Sequence, residues 1–250
     1  MTGTPLVVLD ACVLANFSLC DTLLRLAEPP RLFEPKWSEE IIRETIRTLE
    51  SKLGWPSPLA AHLEAELRAH FGEAWISGYE PLIPRMANDE KDRHVLAAAA
   101  HGHTSIIVTL NLRHFRPEHL KPWSIRALHP QSFLSEIFRE EQMLVTKRME
   151  QQAADRGRSL HQLLDILSAT VPEFAALGAQ SPENCADFAL IGGFLLPCRA
   201  VFIDWLTGLE RFMVEIRRRL LRRHGTDHNS KLLSLFPRFC LPARPLQCRQ

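Results

Sequence analysis

The amino-acid sequence predicts an α/β fold: a parallel sheet flanked by helices over residues 1–130, followed by a mostly helical extension. Three observations carry this. Short continuous apolar runs rich in β-branched residues, "LVVLD" and "SIIVTL", have the length and composition of buried strands. Longer stretches with apolar residues at helical spacing lie between and after them. Proline and glycine punctuate the joints.

Leu6 to Asp10 forms the first strand. Ala11 to Ala27 reads as one helix, with apolar residues at Val13, Leu14, Phe17, Leu23, Leu24 and Leu26, stopped by Pro29 and Pro30. Arg31 to Glu34 is a short second strand. Ser38 caps a helix from Glu39 to about Leu53, with two acids in its first turn suited to the helix dipole. Gly54 and Pro56 end it, and a helix from about Pro58 to Phe71 follows. Tyr79 to Arg85 contains Pro81 and Pro84 and is expected to be extended, at most an edge strand. Asn88 or Asp89 caps a helix to about Ala100, ending near Gly102. Ser105 to Leu110 and Trp123 to Leu128 are further strands, and Ser132 to Gln151 and Leu160 to Leu167 are helical.

With 250 residues, 46% of them hydrophobic and 24% charged, the chain can bury one sizeable core or a core plus an appendage. No low-complexity tract or internal repeat is visible. No signal-peptide pattern precedes Asp10, which interrupts the first apolar run. The run nearest to a membrane span, Phe188 to Leu206, holds Pro197, Arg199 and Asp204, and its unbroken part is well short of the roughly 20 residues a span needs. The six cysteines include no C-x-x-C framework, which fits a reduced, cytoplasmic chain. The net charge is +1, with residues 181–250 at +5 and the rest at −4. On the acidic body, a bound phosphate would need cations from side chains or metal ions.

Acids stand at places where function gathers in open sheets, outside the carboxyl ends of the strands. Asp10 ends the first strand. Glu44 lies at the rim of the apolar arc made by Ile41, Ile42, Thr45, Ile46 and Leu49. Asp89 and Asp92, three apart, share a face of a helix's first turn. Asn111 follows the strand "SIIVTL", with Thr109 two residues before it. Ordinary capping, dipole and turn roles account for each of these singly, Asp10 excepted. Together they make a spaced set.

The segments "VVLDACVL", "WSEEIIRETIRTL", "DEKDRHVLAAAA" and "IIVTLNLRHF" resemble the successive motifs of PIN-domain ribonucleases, above all the VapC-type toxins of toxin–antitoxin pairs with a helical extension. The resemblance spans about residues 5–135. It implies a PIN nuclease domain over 1–135 and a helical extension over 136–180; beyond that the composition changes to a basic, Arg/Leu/Cys-rich tail over 181–250 of uncertain order, which the resemblance does not account for. The resemblance also implies Mg2+- or Mn2+-dependent hydrolysis of RNA to a 5′-phosphate and a 3′-hydroxyl, in a cytoplasmic protein held by an antitoxin and commonly dimeric. Asp10, Glu44 and Asp92 correspond to the catalytic, metal-ligating acids, with Asp89, Thr109 and Asn111 as accessories. Asn111 stands where the family often has an acid, which weakens a second metal position. Cys12 stands where many PIN domains have Ser, Thr or Asn, so a hydroxyl contact there is not expected.

Hard divalent cations favour oxygen ligands, and a cluster of carboxylates repels itself until a cation lies within it. Arg43, Arg47, Arg93, Arg113 and His114 are candidates for phosphate contact; Arg93 has Asp89 four residues before it as an alternative partner. Trp37 and Phe115 read as core. In the tail, "EIRRRLLRRHG" is either an RNA- or partner-contacting helix, a loosely packed end, or the product of a departed reading frame, the last two being preferred. The alternative function is a catalytically silent PIN fold that binds RNA or a partner. A phosphoaspartate protein built on Asp10 is disfavoured, because Cys12 stands where a phosphatase of that chemistry has a second aspartate. Nucleotide-binding loops are absent.

Overall fold

The computed structural model describes residues 3–180. Five parallel strands, β1 (Leu6–Leu9), β2 (Glu34–Ser38), β3 (Trp75–Ile76), β4 (Ile106–Val108) and β5 (Arg126–Leu128), form one sheet in the order β3-β2-β1-β4-β5. Parallel strands need crossovers, and helices supply most of them. The central strand β1 is Leu-Val-Val-Leu, and Val7, Val8 and Leu9 are wholly buried, as continuous apolar strands covered on both faces must be.

Several elements differ from the sequence expectation. The stretch Ala11–Ala27 is two helices, α1 (Ala11–Leu14) and α2 (Phe17–Leu26). Asn16 divides them because its side chain accepts the Leu19 N–H at 3.3 Å and caps a new start. β2 runs over Glu34–Ser38 rather than Arg31–Glu34. The Glu34 N–H faces β1, where it meets the Pro5 carbonyl at 2.9 Å, so the nitrogen of Pro35 faces the other way. On that side β3 pairs only with Trp37 and Ser38, and the donor that proline lacks is not needed. Trp37, fully buried against Phe71 and Trp75, anchors the strand.

Glu80–Arg85 is a 3-10 helix, not an extended segment; the φ that proline fixes suits that helix as well as it suits a strand. The edge strand on this side of the sheet is β3, Trp75–Ile76, which ends before that segment begins at Tyr79. Ser38 caps α3 (Glu39–Ser51) as expected, accepting the Ile41 N–H at 3.3 Å, and α4 (Ser57–His70) follows. Asp89 caps a 3-10 turn, Glu90–Asp92, which leads into α5 (Arg93–His101). A short helix, α6 (Pro117–Leu120), lies between β4 and β5. β5 begins at Arg126 rather than Trp123, because Lys121–Trp123 is a 3-10 turn and Ser124 takes a left-handed conformation.

The stretch Ser132–Gln151 is likewise divided, into α7 (Pro130–Glu140) and α8 (Gln142–Asp155), with a non-helical Glu141 between them. α9 (Leu160–Ser168) opens with a reciprocal Ser159–Gln162 capping box, and α10 (Pro172–Ala179) completes the described chain. These helices are not a separate body. Val145, Met149, Leu163 and Phe174 belong to the same continuous core as the sheet, and residue 135 lies inside α7. Trp37 and Phe115 are core, as expected. The basic tail from residue 181 onward, with its Arg cluster, lies outside the described residues.

Candidate active site

β1 hydrogen-bonds to β2 on one side and to β4 on the other, so the strand order reverses direction around it. Such a switch point leaves a crevice outside the carboxyl ends of the strands. Asp10 stands there. Its N–H bonds the Val108 carbonyl at 3.1 Å, extending the β1–β4 ladder by one residue, and its side chain is 3% exposed. One carboxylate oxygen, Oδ1, caps α1 by accepting the Ala11 N–H at 2.7 Å. The capping role and the strand-end role are therefore both real. The other oxygen, Oδ2, accepts the Thr109 hydroxyl at 2.6 Å and the Cys12 thiol at 3.1 Å.

Thr109 is fully buried just past β4, and its hydroxyl also accepts the Asn111 N–H at 3.0 Å. Cys12 brings no hydroxyl to this position, but its thiol makes a contact of its own. Its sulfur donates to Asp10, lies 3.5 Å from the Thr109 oxygen and accepts the Leu110 N–H at 3.3 Å. Burial, with the adjacent Asp10 charge, pushes this thiol up to about 12, so it remains protonated and keeps its donor.

Asp92 ends the 3-10 turn before α5. Burial holds its carboxyl above the ordinary value; His114 opposes that, and the charges of Asp10 and Asp89 add to it. Asp92 thus lies within the electrostatic reach of both acids. Its Oδ2 is 2.6 Å from Nδ1 of His114. Donor atoms of Asp89, Asp92 and His114 all lie within 4.8 Å of one another, a spacing that could hold a metal ion. Asp89 itself is exposed and accepts the Lys91 N–H at 3.2 Å.

Glu44, on α3, is half-buried and faces His94 of α5, with Oε2 to Nε2 at 3.5 Å. That separation makes an ion pair rather than a well-aligned hydrogen bond. Burial disfavours the His94 cation, but Glu44, joined by Glu40 and Asp10, outweighs it and raises the pKa. The sequence offered a signal for His94: in "RHVLAAAA" it is the one polar residue on the buried part of a helix, and such a group needs a partner.

The candidate phosphate contacts separate. Arg47 is exposed on α3. Arg43 pairs with Glu40. Arg93 donates to the Asn88 carbonyl at 3.4 Å, not to Asp89. Arg113 is exposed and donates to Nε2 of His114 at 3.0 Å. His114 therefore faces an acid rather than solvent phosphate. Asn111 starts the 3-10 turn Leu112–His114, and its side chain makes no capping bond.

A curated relative from Mycobacterium tuberculosis (strain ATCC 25618 / H37Rv), named "Putative ribonuclease VapC50", is 42% identical over 127 residues, half of this chain and 74% of that protein. No family model and no solved structure matches the chain. With an all-parallel five-stranded sheet flanked by helices, acids at its switch point and this degree of identity to a VapC protein, the chain belongs to the VapC-type family of PIN-domain ribonucleases.

Proposed function

We propose that this chain is a divalent-metal-dependent endoribonuclease and the toxin of a toxin–antitoxin pair. What supports the reading is Asp92, raised by burial and by the charges of Asp10 and Asp89, in a chain that is 42% identical to a ribonuclease-named relative. The residues fit a hard cation. Carboxylate oxygens of Asp89 and Asp92 lie within 4.8 Å of each other, and Asp92 bears an electrostatic penalty that a cation relieves. Asp10, Glu44 and Asp92 would hold Mg2+ or Mn2+ directly or through water, with Asp89, Thr109 and Asn111 supporting them. The ion's chemistry would be to lower the pKa of a water and to neutralise phosphate charge.

The rest is done by the chain itself. Thr109 and Cys12 fix the orientation of Asp10. No side-chain nucleophile is required. Arg113 and Arg47, both exposed, are placed to meet phosphates, whereas Arg93 is committed in part to its own backbone. RNA and an antitoxin protein are the proposed partners, with a homodimer as the proposed assembly and the cytoplasm as the location. Among the described residues, no helix is long and apolar enough to cross a membrane. Asn111 favours a second reading, a catalytically silent PIN fold, because it supplies an amide where a further charge would serve.

Purified full-length protein with Mg2+ or Mn2+ is expected to cut structured RNA, and Asp10→Asn is expected to abolish cutting. Equal cutting by that variant overturns the mechanism. Failure of the wild type to bind Mn2+ in calorimetry favours the silent fold.

A further inference from the structure

We propose that His94 and His114 are positioning residues, each holding one of the two candidate ligand carboxylates that the Asp10 network does not reach: His94 holds Glu44 and His114 holds Asp92. This rests on the metal-dependent reading above.

The case for His114 is a question of which nitrogen bears the proton. Arg113 Nε lies 3.0 Å from His114 Nε2. A guanidinium can only donate, so Nε2 must present its lone pair. In the neutral ring the proton is then on Nδ1, which lies 2.6 Å from Asp92 Oδ2 and donates to it. Both ring nitrogens are occupied in this arrangement. His114 therefore orients Asp92 rather than offering a lone pair to a metal, although its atoms lie within the 4.8 Å group. Arg113 sets the tautomer and so keeps the donor aimed at the acid.

His94 serves the opposite wall. It is 8% exposed, and its Nε2 makes no well-aligned hydrogen bond but lies 3.5 Å from Glu44 Oε2. A buried ring nitrogen left without a well-aligned partner is costly, which favours the closer approach of the Glu44 carboxylate. Glu44 is a long side chain, about a third exposed, with several rotamers to choose among. An anchored imidazole restricts that choice. One helix, α5, carries His94 while its N-cap residue is Asp92, so a single rigid element sets two of the acids. Groups that orient ligating carboxylates typically matter about ten- to a hundredfold in metal affinity.

The test is Mn2+ calorimetry on the full-length chain, with melting in EDTA as a measure of the fold. His94→Leu and His114→Leu remove the donor while retaining bulk. His94→Gln places an amide donor near the former Nε2, and His114→Asn places one near the former Nδ1. Each Leu variant is expected to weaken Mn2+ binding about ten- to a hundredfold, and the amide variants are expected to recover most of it. Wild-type affinity in both Leu variants overturns this proposal alone. Loss in His114→Asn equal to that in His114→Leu makes His114 a ligand and overturns its positioning role. A wild type that takes up no Mn2+ overturns the metal reading and this proposal with it.

Discussion

Thr109 is the residue on which the site's internal order depends most directly. Its hydroxyl gives its proton to Asp10 at 2.6 Å and receives the Asn111 N–H at 3.0 Å, with no solvent exposure. Replacing it with the isosteric valine strands the Asn111 N–H and leaves Asp10 Oδ2 with only the weaker Cys12 thiol donor. Thr109→Val is therefore expected to lower stability by about 1–3 kcal/mol in urea unfolding and to suppress RNA cleavage, whereas Thr109→Ser retains both. Wild-type cleavage by Thr109→Val would show that Asp10 needs no such partner. Cys12 predicts a milder pattern. Cys12→Ser supplies a stronger donor to the same oxygen and should cleave at least as well, and Cys12→Ala should cleave less. Asp10, Asp89, Asp92 and Thr109 stand out in the sequence because each follows a strand or starts a helix, and Glu44 because it rims an apolar helix arc. The roles of Cys12, His94 and His114 do not. A thiol standing in for a hydroxyl, and an imidazole turned toward an acid instead of solvent, are decided by which side chains the fold brings opposite them.

At the level of elements, the docking of α8 on α2 is built on buried charge. Asp21 is 1% exposed and takes Arg25 Nε at 2.8 Å together with the guanidinium of Arg156, while Arg25 Nη1 reaches Asp155 at 2.7 Å. Thr22 donates to Gln152 at 2.9 Å, and Gln152 donates to the Ser18 carbonyl at 3.2 Å. Removing one member of such a set strands the others, so Asp21→Ala is expected to cost about 3–5 kcal/mol in denaturant unfolding. A loss below 1 kcal/mol would mean that water reaches the arginines. The i, i+4 spacing of Asp21 and Arg25 is visible in sequence, but their partners on α8 lie some 130 residues away and no local pattern announces them. The same limit explains the strands. β1 and β4 are long enough in apolar sequence to be read, whereas β3 is two residues whose identity comes only from pairing with β2. The start of α7 adds a pH effect. His129 Nδ1 accepts the Gln131 N–H at 3.2 Å, and burial lowers the pKa of this histidine from 6.5. Protonation is thus favoured in the unfolded chain, so the contribution of His129 is complete above about pH 6.5 and is lost as pH falls through the lower folded value. The fall in urea midpoint from pH 7.5 to 5.5 is expected to be steeper in the wild type than in His129→Asn, whose cap does not titrate. Equal slopes would remove His129 from the account.

At the scale of the described fold, Asp10 and Asp89 both press on the charge of Asp92. The order β3-β2-β1-β4-β5 opens the crevice beside the end of β1, and Asp10 stands at that end while α5 brings Asp92 and its neighbour Asp89 toward it. Asp92 is raised by burial and by both of these charges, so at neutral pH its ionised form weakens the metal-free fold. Asp92→Asn keeps an oxygen to accept the His114 proton but removes the charge. Without metal, in EDTA, this variant is therefore expected to melt above the wild type. With Mn2+ the order should reverse. A ligand that binds only the folded state stabilises it by about 2.7 kcal/mol at a hundred times its dissociation constant, a gain open to the wild type and largely closed to the variant. Parallel melting curves with and without Mn2+ check both halves at once. A variant less stable than the wild type in EDTA would show that the His114 contact outweighs the repulsion, and the acids would then owe their placement to packing rather than to a cation.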